Sequence, residues 1–377
     1  MRFDFNLFST PLLFAFLQGW IYALLFLARG WRQGRLSDGL FGALLIAFTF
    51  DIWEYMLGFA GVEILWKELN FFPRTFSLLL PPLVFFYLKS QFNIGFTFKR
   101  KDALHALPFL IYCLYHLLVF AQGPTFVNQW LETVHQPLEL DLVYAFVLFC
   151  AQLYYFISAY RLYREYQIWI PTEFSDTDTV SFSWFRNFLL AYLAGNLMSW
   201  IMFLVDLWLR LDFWHDWWDE LFLAGLIYYL SIAGYAQLQP RKIQFTAKES
   251  SSEPVPARQE KLSEPELLSW KNRIEKLMQE DQLFLEPELT LSDIAQRLGT
   301  NISLLSSVVN NAFGKNFNDY VNTYRVALVK DRLKDPAFQH YSLLGIGLEC
   351  GFNSKSTFNR VFKKITGYAP GDYVKGS

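Results

Sequence analysis

Between Asn353 and Gly367 the chain places Lys355, Ser356, Asn359, Arg360 and Lys363 three and four residues apart. On a helix that spacing puts them on one face. Ammonium and guanidinium groups attract phosphate, an arginine fork can pair with guanine, and an amide can pair with adenine. The chemistry on offer is recognition of double-stranded DNA. Phe358, Val361 and Phe362 fall on the other side and predict the face that packs into a core. An earlier run, from Asn301 to Asn311, offers Ser303, Ser306, Ser307 and Asn310 but no Lys or Arg. Hydroxyls and amides can bond to bases or backbone, yet they exert no net pull on phosphate. The later run is therefore expected to supply most of the affinity, and the earlier one hydrogen bonds.

A second set of ionisable residues lies in strongly apolar sequence. Asp51 and Glu54 are three apart, on one face of an expected helix, and Asp206 is expected deep in another. Ionisable groups in hydrocarbon are costly, which marks these three as candidate sensor residues. The alternative is that they hydrogen-bond to neighbouring helices, or to Arg74, as structural ties. His105 and His116 are too far apart along a helix axis to share a metal. Cys113, Cys150 and Cys350 have no metal-ligand spacing and are read as small core residues. Neither a metal nor a cofactor is expected. No nucleotide loop, zinc-protease His-Glu pair or nucleophile–base set stands out, so the chain is not expected to be an enzyme.

Short helices must position the DNA-facing residues. Leu291–Thr300 leading into Asn301–Gly314, and Leu343–Phe352 leading into Asn353–Gly367, each read as helix, glycine-containing turn, helix. Thr290 and Asp293 form a capping-box-like start. Asn316, Ser342, and Asn353 or Ser354 are suited to cap the helices that follow them, and Pro370 to open a short closing helix. An apolar stripe of Leu267, Leu268, Ile274, Leu277 and Met278 predicts a helix over 266–280. No strand is needed, and the fold class is all-α.

Residues from about Leu267 to Tyr373 resemble the DNA-binding domain of the AraC family, two helix-turn-helix units joined by one long helix. The run from Gly351 to Pro370 carries most of the likeness, and Gly314–Tyr320 with Tyr324-Arg-Val326 resembles the start of the joining helix. The resemblance implies DNA contacts from both second helices. The chain departs from the family pattern at Gly347, where Ala is usual, and at Val374, where a basic residue is usual. In architecture the whole chain resembles members of that family in which several transmembrane helices replace a soluble sensor.

The 377 residues divide by composition. Up to Leu238, Phe, Leu, Trp and Tyr dominate. Seven stretches approach the ~20 apolar residues that span a bilayer: Leu7–Ala28, Gly39–Ala60, Phe71–Leu88, Ala103–Ala121, Leu138–Tyr160, Phe185–Leu209 and Trp218–Leu238. Arg29, Arg32 and Arg35 lie in the first connection, Lys89, Lys99, Arg100 and Lys101 in the third, and Arg161, Arg164 and Arg186 in the fifth, while alternate connections are poor in cations. Positive charge marks the cytoplasmic side, so the N-terminus is expected outside and the C-terminus in the cytoplasm of a bacterial inner membrane. Trp214, Trp217, Trp218, Tyr160, Tyr163 and Tyr166 read as an interfacial belt. The expected domains are 1–238, a seven-helix transmembrane sensor; 239–263, a polar, proline-broken tether; and 264–377, the helix-turn-helix domain.

The expected partners are DNA, the lipid bilayer, a signal ligand, and a second copy of the chain in a homodimer. The function these features imply is membrane-tethered transcription regulation. A transporter or intramembrane enzyme with a helical regulatory domain is the competing class.

Overall fold

Long apolar runs unbroken by charge leave the backbone no partner but itself, and helices result. A computed structural model describes residues 3–93, 95–178, 180, 183–236, 245 and 262–375. Among them no strand forms. An isolated antiparallel bridge joins Phe174 and Thr290. Most of the expected tether, 239–263, lies outside the described residues. The chain divides into two compact units: residues 1–163 with 183–246, and residues 164–182 with 247–377. The segment 164–182, which composition alone assigns to the apolar half, thus groups with the C-terminal domain.

The first unit holds α1 (Ser9–Gln33), α2 (Leu36–Phe59), α3 (Leu80–Phe92), α4 (Leu107–Phe120, entered by a 3-10 turn over Arg100–Ala106) and α5 (Pro124–Trp130). It continues with the first part of α6 (Leu140–Glu173), α7 (Ser183–Leu209) and α8 (Trp217–Ala236). α1 lies along α2 at close range. A Cβ on Gly42 would sit 2.9 Å from the Ala23 carbonyl oxygen, the near approach that small residues permit in apolar surroundings. Arg29 pairs with the buried Asp38 at 2.7 Å and lies over the Phe26 and Tyr235 rings.

Among the described residues five helical stretches are long and apolar enough to cross a membrane: Ser9–Gln33, Leu36–Phe59, Arg100–Phe120, Leu140–Glu173 and Trp184–Leu209. Of the seven expected spans, the third and the last are not among them. The third stretch is helical only over α3, because 71–79 forms turns and extended backbone around Pro73 and Arg74. α8 has the length, but Asp219 and Glu220 in its first turn dilute its apolar character. Phe14, Ile21 and Leu24 on α1, Leu110, Ile111 and Leu114 on α4, and Phe146, Leu153 and Ile157 on α6 are exposed. Apolar faces of this extent mark a surface that something else covers.

The second unit holds the end of α6 and then α9 (Glu264–Gln279), α10 (Leu291–Leu298), α11 (Ile302–Phe313), α12 (Phe317–Arg332), α13 (Leu343–Glu349), α14 (Lys355–Thr366) and α15 (Pro370–Lys375). Two cores form on either side of α12. Phe317, Tyr320 and Val321 from its first half join Ile274, Met278, Ile294 and Val308. Val326 and Val329 from its second half join Ile346, Phe352, Phe358, Val361 and Phe362.

Candidate nucleic-acid interface

The first helix-turn-helix is built by side-chain caps. Thr290 accepts from the Asp293 amide at 3.1 Å while Asp293 accepts from the Thr290 amide at 2.8 Å, closing the capping box at the head of α10. Gly299 ends α10 in the left-handed region, and Asn301 caps α11 through the Leu304 amide at 2.8 Å. Leu305, Val308 and Val309 turn inward. That leaves Ser303 and Asn310 exposed and Ser306 and Ser307 half-buried. Asn311 donates to the Ser307 hydroxyl at 3.0 Å. The nearest cations are occupied: Arg297 by Glu286 at 2.7 Å and Lys315 by the Thr323 hydroxyl at 2.9 Å.

The second unit repeats the plan with different chemistry. Ser342 caps α13 through the Gly345 amide, and Ser354, rather than Asn353, caps α14 through the Thr357 amide at 3.2 Å. The turn between them needs Gly351. Its φ is 91°, and a Cβ there would lie 2.5 Å from the Phe284 carbonyl oxygen. Gly347 has a packing reason as well, since a Cβ would meet the Phe358 ring at 2.9 Å. The inner face of α14 is Phe358, Val361 and Phe362, all buried; Lys355, Ser356, Asn359, Arg360 and Lys363 are exposed. The face assignment read from spacing holds. Lys364 turns aside to Asp319 at 2.6 Å.

One buried arginine ties the two helix-turn-helix units together. Arg325 on α12, 1 % exposed, donates from Nε to the Phe284 carbonyl and from Nη2 to the Glu286 carbonyl, both at 2.8 Å. It also lies over the Phe352 ring, beside the Gly351 turn. Burial lowers its pKa to about 10, opposed by the charge of Asp176. Burial likewise pushes the Cys350 thiol up to about 11.

Spacing gave no sign of a further set of contacts, which comes from the loop after α6. The Ser175 amide donates to the Leu289 carbonyl at 3.1 Å, and Asn318 donates to the Ser175 carbonyl at 2.7 Å. Asn353 donates to Asp176 at 2.8 Å, Thr357 to one oxygen of Asp178 at 2.5 Å, and Arg360 to its other oxygen at 2.8 Å. Two Asp residues two positions apart in a polar loop have no periodicity to betray them.

The candidate sensor residues separate. Asp51 accepts from the Thr75 hydroxyl at 2.7 Å and the Ser77 hydroxyl at 2.9 Å, and Glu54 pairs with Arg74 at 2.7 Å. Both are thus held by the irregular 71–79 stretch. Asp206 lies near the end of α7 and is exposed rather than deep in its helix, because the helix stops at Leu209. His105 bonds to the Tyr155 hydroxyl and His116 to the Phe71 carbonyl. Cys150 is exposed on α6 instead of sitting in a core. Among the described residues no group of three or more His, Cys, Asp or Glu is placed to hold a metal ion.

Residues 294–376 match a family model described as a helix-turn-helix domain. An uncharacterized HTH-type transcriptional regulator of Bacillus subtilis (strain 168), YtdP, is 35% identical over 88 residues, 23% of this chain and 11% of that protein. Uncharacterized HTH-type transcriptional regulators of Staphylococcus aureus strains COL and N315 are each 29% identical over 92 residues, 24% of this chain and 12% of theirs. The chain thus spans about a tenth of the length of these curated relatives. No solved structure matches it. The domain match and the relatives support a DNA-binding helix-turn-helix domain over residues 294–376.

Proposed function

We propose that the chain is a membrane-tethered transcription regulator, in which a signal received by the transmembrane helices changes how the helix-turn-helix domain meets DNA. The observation that carries the DNA half is the exposed face of α14, with Lys355, Arg360 and Lys363 beside Ser356 and Asn359. Cations on a helix capped at its N-terminus suit phosphate attraction and base-edge pairing in a major groove. On α11, Ser303, Ser306, Ser307 and Asn310 add hydrogen bonds without charge.

The hydrogen bonds from 174–178 to the helix-turn-helix domain also bear on the membrane half. Bonded segments occupy the same side of a bilayer, so an even number of crossings separates residue 182 from residue 262. α7 is one. Among the described residues α8 is the other helix in that interval, and it supplies the second crossing despite Asp219 and Glu220. α3 spans only about 20 Å at 1.5 Å per residue, but it is buried and preceded by irregular backbone packed inside protein, a tolerated arrangement within a membrane. With α3 and α8 counted, the proposed arrangement has seven crossings, the N-terminus outside, and DNA and the helix-turn-helix domain together in the cytoplasm. Asp51 and Glu54, anchored on 71–79, and Asp206 are the residues through which the membrane part would register its ligand. Pairing of two copies is the simplest way to present two α14 helices to one site.

Reporter fusions after Gln129 should lie outside, and fusions after Lys101 and Gln239 in the cytoplasm. Chromatin immunoprecipitation of the full-length, membrane-borne protein should recover specific promoters. A periplasmic reporter signal at Gln239, or immunoprecipitated DNA without sequence preference, contradicts this reading. Solute transport by the purified protein without DNA would favour a transporter.

A further inference from the structure

One residue on the DNA-facing side of α14, Arg360, already has a partner. Within the second unit, the end of α6 and the loop after it read Glu173-Phe-Ser-Asp-Thr-Asp178, three carboxylates in six residues. It is anchored at one end by buried backbone bonds: Ser175 is fully buried, its amide bonds to the Leu289 carbonyl, and its own carbonyl accepts from Asn318. At the other end the Tyr166 hydroxyl donates to the Val180 carbonyl at 2.8 Å. Held between these anchors, Asp178 presents one oxygen to the Thr357 hydroxyl and the other to Arg360. Asp176, 4 % exposed, takes the Asn353 amide.

Asn353 and the buried Thr357 lie at the N-terminal end of α14, and Arg360 lies on its DNA-facing side. A guanidinium nitrogen and a hydroxyl on the two oxygens of one carboxylate, with an amide on a neighbouring carboxylate, are donors that could equally hold phosphate oxygens. An aspartate at that position presents two anionic oxygens where a DNA backbone would present its own. Arg360 cannot pair with Asp178 and with a guanine or phosphate together. The pair is half-exposed, 52 % and 38 % at the side chains, so it is weak enough for a polyanion to displace.

We infer that the 174–178 loop is an intramolecular DNA mimic that occupies the second recognition helix and is displaced when DNA binds. This rests on the DNA-binding reading given above. It also supplies a route for the signal. α6 is continuous from its apolar part into the docked loop, so a shift of that helix moves Asp176 and Asp178 directly. A loop drawn back frees Arg360 and Asn353, and a loop pushed home masks them.

The test uses the full chain in lipid nanodiscs and a random-sequence DNA duplex, titrated at low and moderate salt. Asp176→Asn with Asp178→Asn keeps size and removes the mimicked charge. The expected result is tighter binding than wild type by roughly three- to tenfold, since a competing half-exposed ion pair has been removed. A second measurement needs no variant. Hydrogen exchange on the wild type should show the Ser175 amide, bonded to Leu289, exchanging faster once DNA is added. Equal or weaker binding by the double variant overturns the inference, as does undiminished Ser175 protection in the DNA-bound protein, which would make the loop a fixed brace. If neither wild type nor variant binds the duplex at low salt, the DNA-binding reading fails and takes this inference with it. Equal binding by both removes the mimic and leaves the DNA-binding reading standing.

Discussion

The two helix-turn-helix units share a plan and differ in charge. Each has a capped first helix, a turn containing glycine, and a second helix whose apolar side enters its own core. On α11 the outer face is serine and asparagine, and the flanking cations are already bonded to neighbours. On α14 the outer face carries two lysines and an arginine, and Asp178 of the acidic loop pairs with that arginine. Local folding rules therefore set the shape of both units, while surface charge decides which one DNA would feel first and which one is worth masking. A motif tells where a recognition helix is, and its outward side chains tell how much it can bind.

The two units need not be independent, and the largest expected effect concerns the tie between them. Replacing Arg325 with Leu strands the Phe284 and Glu286 carbonyls, whose donors it supplies. We predict a loss of about 3–5 kcal/mol in the C-terminal unit, the range for breaking a buried, charged hydrogen-bond set. Hydrogen exchange should rise in both cores together. A rise confined to one core would mean that the two units fold separately.

Arg360→Ala should cost about 1–3 kcal/mol of specific DNA binding and relax sequence preference over the base pairs it reads. Selection from a random DNA pool by wild type and variant checks this, and an unchanged preferred sequence would remove Arg360 from base readout. Gly347→Ala sets a helix-propensity gain of about 1 kcal/mol against overpacking of about 1–3 kcal/mol at the Phe358 ring, for a net destabilisation near 1 kcal/mol. Stabilisation instead would show that the ring shifts freely. The smallest effect is chemical. With its thiol buried and its pKa pushed up to about 11, Cys350 should resist alkylation at neutral pH in the folded protein and react on unfolding. Rapid labelling would mean that the second core opens readily.

Much of this architecture is legible in the sequence because its causes are local. The capping residues Thr290, Asn301, Asn316, Ser342 and Ser354 sit one step ahead of their helices and bond as their types predict. The division of α14 into Phe358, Val361 and Phe362 inside and Lys355, Asn359 and Arg360 outside follows from its period alone. Legibility ends where distant segments meet. Nothing in hydropathy says that the stretch expected as a third span breaks at 71–79 so that Thr75 and Ser77 can bond to Asp51. Nothing in spacing says that Asp178 reaches Arg360 across 182 residues of chain. Asp206 lies three residues from the end of the expected span Phe185–Leu209 as well as of α7, so its shallow position is legible in the sequence and does not fit a deep placement.

The central claim is that α14, rather than α11, draws this protein to DNA. The direct measurement is a salt titration of DNA binding by the full chain in nanodiscs, comparing Lys355→Ala with Arg360→Ala against Ser303→Ala with Asn310→Ala. Loss of cations on α14 should weaken binding and reduce the slope of log affinity on log salt by about one for each phosphate contact removed. Loss of the α11 pair should weaken binding at every salt concentration and leave that slope unchanged. A slope unmoved by the α14 variant while the protein stays folded would contradict the account.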